Sequence, residues 1–145
     1  MSEQNKQLVR RYVEEVQNQH RLDVMDELFA PNIVNHDIAS GLPSPQGVEG
    51  VKQFFGMMFA AFPDFHAVVE DQVAEGDKVV TRKTVSGTHQ GEFMGIPPTG
   101  RRMEISVIDV FRVADSRCTD HWSVVDQLGM MQQLGVIPTA EPAAD

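Results

Sequence analysis

Residues 51–75 read VKQFFGMMFAAFPDFHAVVEDQVAE, and the hydrophobic period changes at Pro63. Before the proline, Val51, Phe54, Phe55, Met58 and Phe62 recur every three or four residues, which stacks them on one face of a helix. That helix begins at Gln46 or Gly47, and Pro63 ends it. After the proline, Phe65, Ala67, Val69 and Val73 alternate with polar residues, as a half-buried strand requires.

Upstream of this switch the chain reads as helical. Leu8, Tyr12 and Val16, with Val9 and Val13 beside them, form one apolar stripe over residues 5–18. Asp23 is expected to cap a short second helix carrying Met25, Leu28 and Phe29, stopped by Pro31. Residues 32–37 read as extended, and the stretch from Gly41 to Gln46 as loop. Downstream the pattern is that of strands. Gly76-Asp77 is a turn, residues 78–89 a strand, GEFMGIPPTG (91–100) a loop, and residues 101–113 a third strand. Residues 114–117 turn the chain back into a fourth strand, 118–126, and Leu128, Met131 and Leu134 mark a last short helix. Helices followed by a strand meander predict an α+β fold, with a curved, mainly antiparallel sheet wrapped around the N-terminal helices. Such a sheet makes a cone-shaped barrel with an internal pocket. The reading is one domain over 1–137 and a flexible tail over 138–145.

Composition narrows the function. The 145 residues carry a formal net charge of −9, which argues against nucleic acid or an anionic membrane as partner. No apolar run approaches a membrane span, the start has no signal-like apolar core, and the single Cys118 suits a reducing compartment, so a cytoplasmic location is expected. Cys118 itself reads as a small buried hydrophobe. No HExxH or comparable spacing suggests a metal, and no GxSxG, GxGxxG or Walker loop suggests serine acyl transfer, dinucleotide or nucleoside triphosphate binding.

One residue is out of character for its place. Ile105, Val107, Asp109, Phe111 and Val113 share a strand face, and only Asp109 is charged. A buried carboxylate must be paired or neutralised, so Asp109 is either a satisfied structural acid or a functional one. Its cross-strand neighbour depends on the turn. A plain two-residue turn at Asp115-Ser116 puts Asp109 opposite Trp122. A three-residue turn with a bulge puts it opposite Ser123, with His121 on the diagonal; that register is preferred because it groups His121 and Ser123 with Asp109. Asp109 is therefore the candidate general base or orienter, and His121 its proton-exchanging partner. Asp109 is expected to be pushed up by its apolar surroundings and His121 to be raised by the carboxylate, with Asp126 the alternative acid. Phe111 and Phe55 are candidate lining residues, and His36 and Ser123 candidate substrate contacts. Arg82 either lines the pocket or rides on the outer sheet face. His89 reads as a structural hydrogen-bonding group.

The stretches EGDKVVTRKTVSGTHQGEFMGIPPTGRR (75–102) and DHWSVVDQLGMMQQLG (120–135), with the early NHD (35–37) and GVEG (47–50), resemble the SnoaL-like polyketide and ester cyclases. The resemblance runs from Asn5 to about Pro138. It implies the cone-shaped barrel shared with scytalone dehydratase and ketosteroid isomerase, a cofactor-free pocket and a homo-oligomer joined through the outer sheet face. In polyketide cyclases of this family an intramolecular aldol condensation closes a ring. Those enzymes carry a catalytic aspartate two residues after the histidine, where this chain has Ser123, and a histidine on the preceding strand, where it has Asp109. Either the acid and the imidazole have exchanged strands, with Asp109 and His121 forming the pair, or the chain is not a ring cyclase. The expected activity is cofactor-independent acid–base chemistry on a hydrophobic carbonyl compound: aldol cyclisation, isomerisation or dehydration. Epoxide hydrolysis and non-catalytic binding of a hydrophobic metabolite are the alternatives. In the preferred register Ile108, Val110, Trp122 and Val124 lie outside, an apolar patch that suits a homodimer or larger homo-oligomer.

Overall fold

The apolar stripe of the first segment is helical, as its spacing predicts, but the helix changes type midway. The computed structural model describes residues 2–36 and 46–138. Helix α1 spans Ser2–Arg11 and runs on as a π-helical segment, Tyr12–Asn18, with its wider i to i+5 repeat. A 3₁₀ turn at Leu22–Val24 leads into the single-turn helix α2, Met25–Leu28, whose N-cap is Val24. Asp23 therefore lies inside the turn and is not the cap the sequence suggested. Nor does Pro31 end that helix. Phe29 already opens strand β1, Phe29–Asn35. β1 is an edge strand, where a missing N–H is tolerated.

Helix α3, Gly47–Ala61, has Gln46 as its N-cap and stops just before Phe62 and Pro63. Four strands follow: β2, His66–Glu75; β3, Lys78–Thr88; β4, Arg102–Ala114; and β5, Arg117–Val125. Helix α4, Gln127–Gln133, comes last. The five strands form one sheet in the order β1-β5-β4-β3-β2, antiparallel except for the parallel β1–β5 pair, and the sheet does not close. This is the expected α+β architecture. The loop reading of 41–45 and the tail reading beyond Pro138 fall outside the described residues. Among the described residues, no helix is long and apolar enough to cross a membrane.

One face of the sheet is buried. Val79, Thr81, Lys83 and Val85 of β3 and Met103, Ile105, Val107, Asp109, Phe111 and Val113 of β4 turn inward, against Tyr12, Val13, Val16, Phe55 and Met58 of the helices. Two irregularities correct the simple alternation. β2 bulges between Val69 and Asp71, which changes its phase and leaves Val73 64% exposed instead of buried. In α4 it is Met130 that is buried, while Leu128 is 60% exposed.

The β4–β5 hairpin settles the register by a route that combines both sequence readings. Asp115 and Ser116 have φ of 52° and 62° and make a two-residue turn, Ala114 pairing with Arg117. The bulge comes later, at Thr119: Val113 pairs with Cys118 but Arg112 with Asp120. From there Phe111 faces His121 and Asp109 faces Ser123. The turn is the plain one; the preferred register nonetheless holds, because the extra residue is absorbed within the strand. Cys118 is buried, and burial pushes its thiol far above the ordinary value, so it is inert.

Candidate active site

The buried sheet face and the helices enclose a cavity of about 150 Å³. Its wall is largely apolar and includes Phe54, Phe55, Phe65, Phe93, Phe111, Met58 and Met103. The aromatic packing is continuous, with Tyr12 set edge-on to Phe111 at 5.4 Å between centroids and to Phe55 at 6.1 Å. Against this apolar wall the polar groups are few, and Tyr12, Gln17, Lys83, Asp109 and His121 form one connected chain.

Asp109 sits at its centre. Its Oδ1 accepts from His121 Nε2 at 2.9 Å, and its Oδ2 meets Lys83 Nζ at 2.5 Å. Lys83 Nζ also donates to Gln17 Oε1 at 2.9 Å, and Gln17 Nε2 donates to Tyr12 Oη at 3.0 Å. The Lys83 and Asp109 side chains are 2% and 5% exposed, so this is a buried ion pair with His121 at its more accessible end. Each contact follows from local structure. The Thr119 bulge places His121 diagonally across from Asp109. Alternation on β3 puts Lys83 two residues from Thr81, which is the cross-strand partner of Asp109. The π-helical repeat brings Gln17 beside Tyr12, five residues back, where an α-helix would have turned it away.

The electrostatics overturn one expectation. Burial alone would raise the Asp109 carboxyl, but the Lys83 ammonium and the His121 hydrogen bond outweigh it and hold it well below the usual carboxylate range. Asp109 is thus a fixed anion rather than a proton-trading acid. Burial, and then the Asp109 charge, push the Tyr12 phenol well above its ordinary value, so it stays neutral.

The candidate residues divide cleanly. Asp109, His121, Ser123, Phe111 and Phe55 all line the cavity. Asp126 does not: it is exposed and caps α4, its Oδ1 accepting from Gly129 N at 2.9 Å. Arg82 takes the outer face, where it grips Asp71 through Nε and Nη2, the shortest contact being 2.9 Å. His36 also points away. Asn35 pairs with His121 and lines the cavity, so alternation sends His36 to the other side. There it stacks on Trp122 at 4.5 Å and bonds Asp120 Oδ2 at 3.0 Å. His89 is buried, with Nδ1 accepting from the Thr99 N–H at 3.2 Å.

Lys83, Gln17, Tyr12 and Asn35 were not singled out by the sequence reading. For Lys83 a signal existed: it shares the Val79-Thr81-Val85 face, on which it is the one charged residue. Its neighbour Arg82 obscured that signal, since adjacent basic residues on a strand must point to opposite faces. Gln17 had none, because the π-helical shift that buries it leaves no trace in an apolar period. Among the described residues, no group of three or more His, Cys, Asp or Glu could hold a metal ion.

Comparison with known proteins agrees with this geometry. Residues 7–134 match the SnoaL-like polyketide cyclase family. The chain is 30% identical over 129 residues to the aklanonic acid methyl ester cyclase DnrD of Streptomyces peucetius, covering 88% of each chain. It is 29% identical over 120 residues to the nogalonic acid methyl ester cyclase of Streptomyces nogalater, covering 81% of this chain and 88% of that one. The solved structure of wild-type IdmH from Streptomyces antibioticus superposes with a TM-score of 0.77 at 38% identity, over 91% of this chain and 99% of that one. The chain, with its open five-stranded sheet and its helix-walled cavity, belongs to the SnoaL-like polyketide cyclase family.

Proposed function

We propose that the protein is a cofactor-independent cyclase that closes a ring in a hydrophobic polyketide-type ester by intramolecular aldol addition, with His121 as its general base. The observation that carries this reading is the His121 Nε2–Asp109 Oδ1 contact of 2.9 Å at the cavity wall. Asp109, held as an anion, can only accept there, so Nε2 carries the proton and the basic lone pair lies on Nδ1. His121 takes a proton from the carbon beside a carbonyl, and the carbanion attacks a second carbonyl in the same molecule. The imidazolium then returns its proton to the new alkoxide. Asp109 orients the ring and balances its transient charge without moving a proton itself. Arg82, set on the outer face, lends no support to the epoxide-hydrolase alternative.

The relatives' names supply the first substrates to try. Purified protein is expected to convert aklanonic acid methyl ester or nogalonic acid methyl ester to a cyclised isomer of unchanged mass, separable by chromatography, with no added metal or cofactor. Tight binding without conversion of either ester, or of any related ketoester, would favour the metabolite-binding alternative.

We also infer a homodimer through the outer sheet face. Val80 faces Val110, which faces Trp122, and Ile108 faces Val124, so an apolar patch spans three strands. Val124 at its edge is 73% exposed. An apolar patch of this extent is rare on a free monomer. Sedimentation at micromolar concentration is expected to show a dimer, and Val124→Glu to release monomers. A monomeric parent protein would refute the inference.

A further inference from the structure

Lys83 has a donor that the fold does not use. An ammonium carries three N–H groups. Asp109 Oδ2 and Gln17 Oε1 take two of them, at 2.5 and 2.9 Å, and the Tyr12 ring flanks the nitrogen with its centroid 5.3 Å away. Among the described residues no further acceptor meets it, and Lys83 lines the cavity. A buried lysine needed only to neutralise Asp109 would not have to border the cavity, nor to be clamped from behind by a glutamine itself tied to a tyrosine.

We propose that Lys83 is the oxyanion-binding residue of this cavity, its third N–H holding the oxygen on which charge gathers when His121 removes a proton beside a carbonyl. Gln17 and Tyr12 are positioning residues that fix the ammonium. This rests on the acid–base reading of His121. The charge balance favours it. At rest, with His121 neutral, Lys83 and Asp109 cancel. Once His121 has taken the proton, the three groups carry one net positive charge, and an enolate oxygen at Lys83 returns the sum to zero. A fixed donor in an apolar-walled cavity stabilises such an oxygen far better than it does a neutral carbonyl, because it needs no reorganisation as the charge forms. The ligands selected are therefore flat, apolar compounds with an acidic enol or phenol hydroxyl.

The test needs no turnover. 2-Naphthol serves as a stable enol mimic whose ionised form is distinguished by absorbance, and naphthalene as its uncharged control. Bound to the wild type, 2-naphthol is expected to ionise about 10- to 100-fold more readily than in water, the worth of a hydrogen bond to a charged group. Lys83→Met is the direct variant; since it strands a buried carboxylate, Lys83→Met/Asp109→Asn is measured with it. The double variant should still bind naphthalene, which reports an intact cavity, but should lose the preference for naphtholate. His121→Asn should keep that preference at alkaline pH, where bulk hydroxide removes the proton, because Lys83 remains. Equal ionisation of naphthol on the wild type and on the naphthalene-binding double variant would overturn the proposal. A naphtholate preference that depends on Lys83 in a protein that cyclises no ester would instead leave Lys83 its role and remove the cyclase reading.

Discussion

Replacing His121 by Asn is expected to lower kcat for ring closure by about two to four orders of magnitude, the usual contribution of a positioned general base. Asparagine keeps a hydrogen-bonding group toward Asp109 but has no lone pair of comparable basicity, so the loss should fall on kcat and kcat/KM alike. The measurement is steady-state turnover of a confirmed ester. Retained wild-type kcat would exclude His121 as the base.

The second large effect is on stability, and it reverses what Asp109 alone would suggest. On its strand face alone, Asp109→Asn is an exchange that keeps shape and removes charge. In the fold the exchange leaves Lys83, 2% exposed, without its counter-ion. Breaking a buried pair from one side costs about 3–5 kcal/mol, whereas removing both charges together is often near neutral. Asp109→Asn and Lys83→Met should each lower the unfolding free energy by that order at pH 7, and the double variant should regain most of it. Urea denaturation measures all three. If the two single losses simply add in the double variant, the pair is not coupled. The same pair sets an acid dependence. The folded Asp109 carboxyl is depressed below its unfolded value of about 4, so its stabilisation is complete above that pH and is lost as pH falls through the folded value. The wild type should weaken progressively below about pH 4, and the double variant should lack that part of the decline.

Local periodicity encodes the part of this fold that is legible in the chain. The helix-to-strand switch at Pro63, the order of elements, the buried face of β4 and the oddity of Asp109 on it all follow from which residues recur every two or every three to four positions. The choice of His121 as its partner was also legible, because one register alone grouped the polar residues of β5 with that acid. Some departures from the apolar pattern are changes of period that leave no apolar signature: the Glu70 bulge exposes Val73, and the π-helical repeat carries Gln17 inward. Others are local: Pro31, a helix stop by sequence, is accepted by an edge strand. Alternation from Asn35 sent His36 outward, and a local cap claimed Asp126. The electrostatics arise only where β3 and β4 come together. Lys83 and Asp109 are 26 residues apart in sequence, and nothing in either segment states that two inward-facing charges on adjacent strands will meet. A side chain's pKa depends on what surrounds it in three dimensions, so the meeting of β3 and β4 lowers a carboxyl that its apolar strand face alone would have raised.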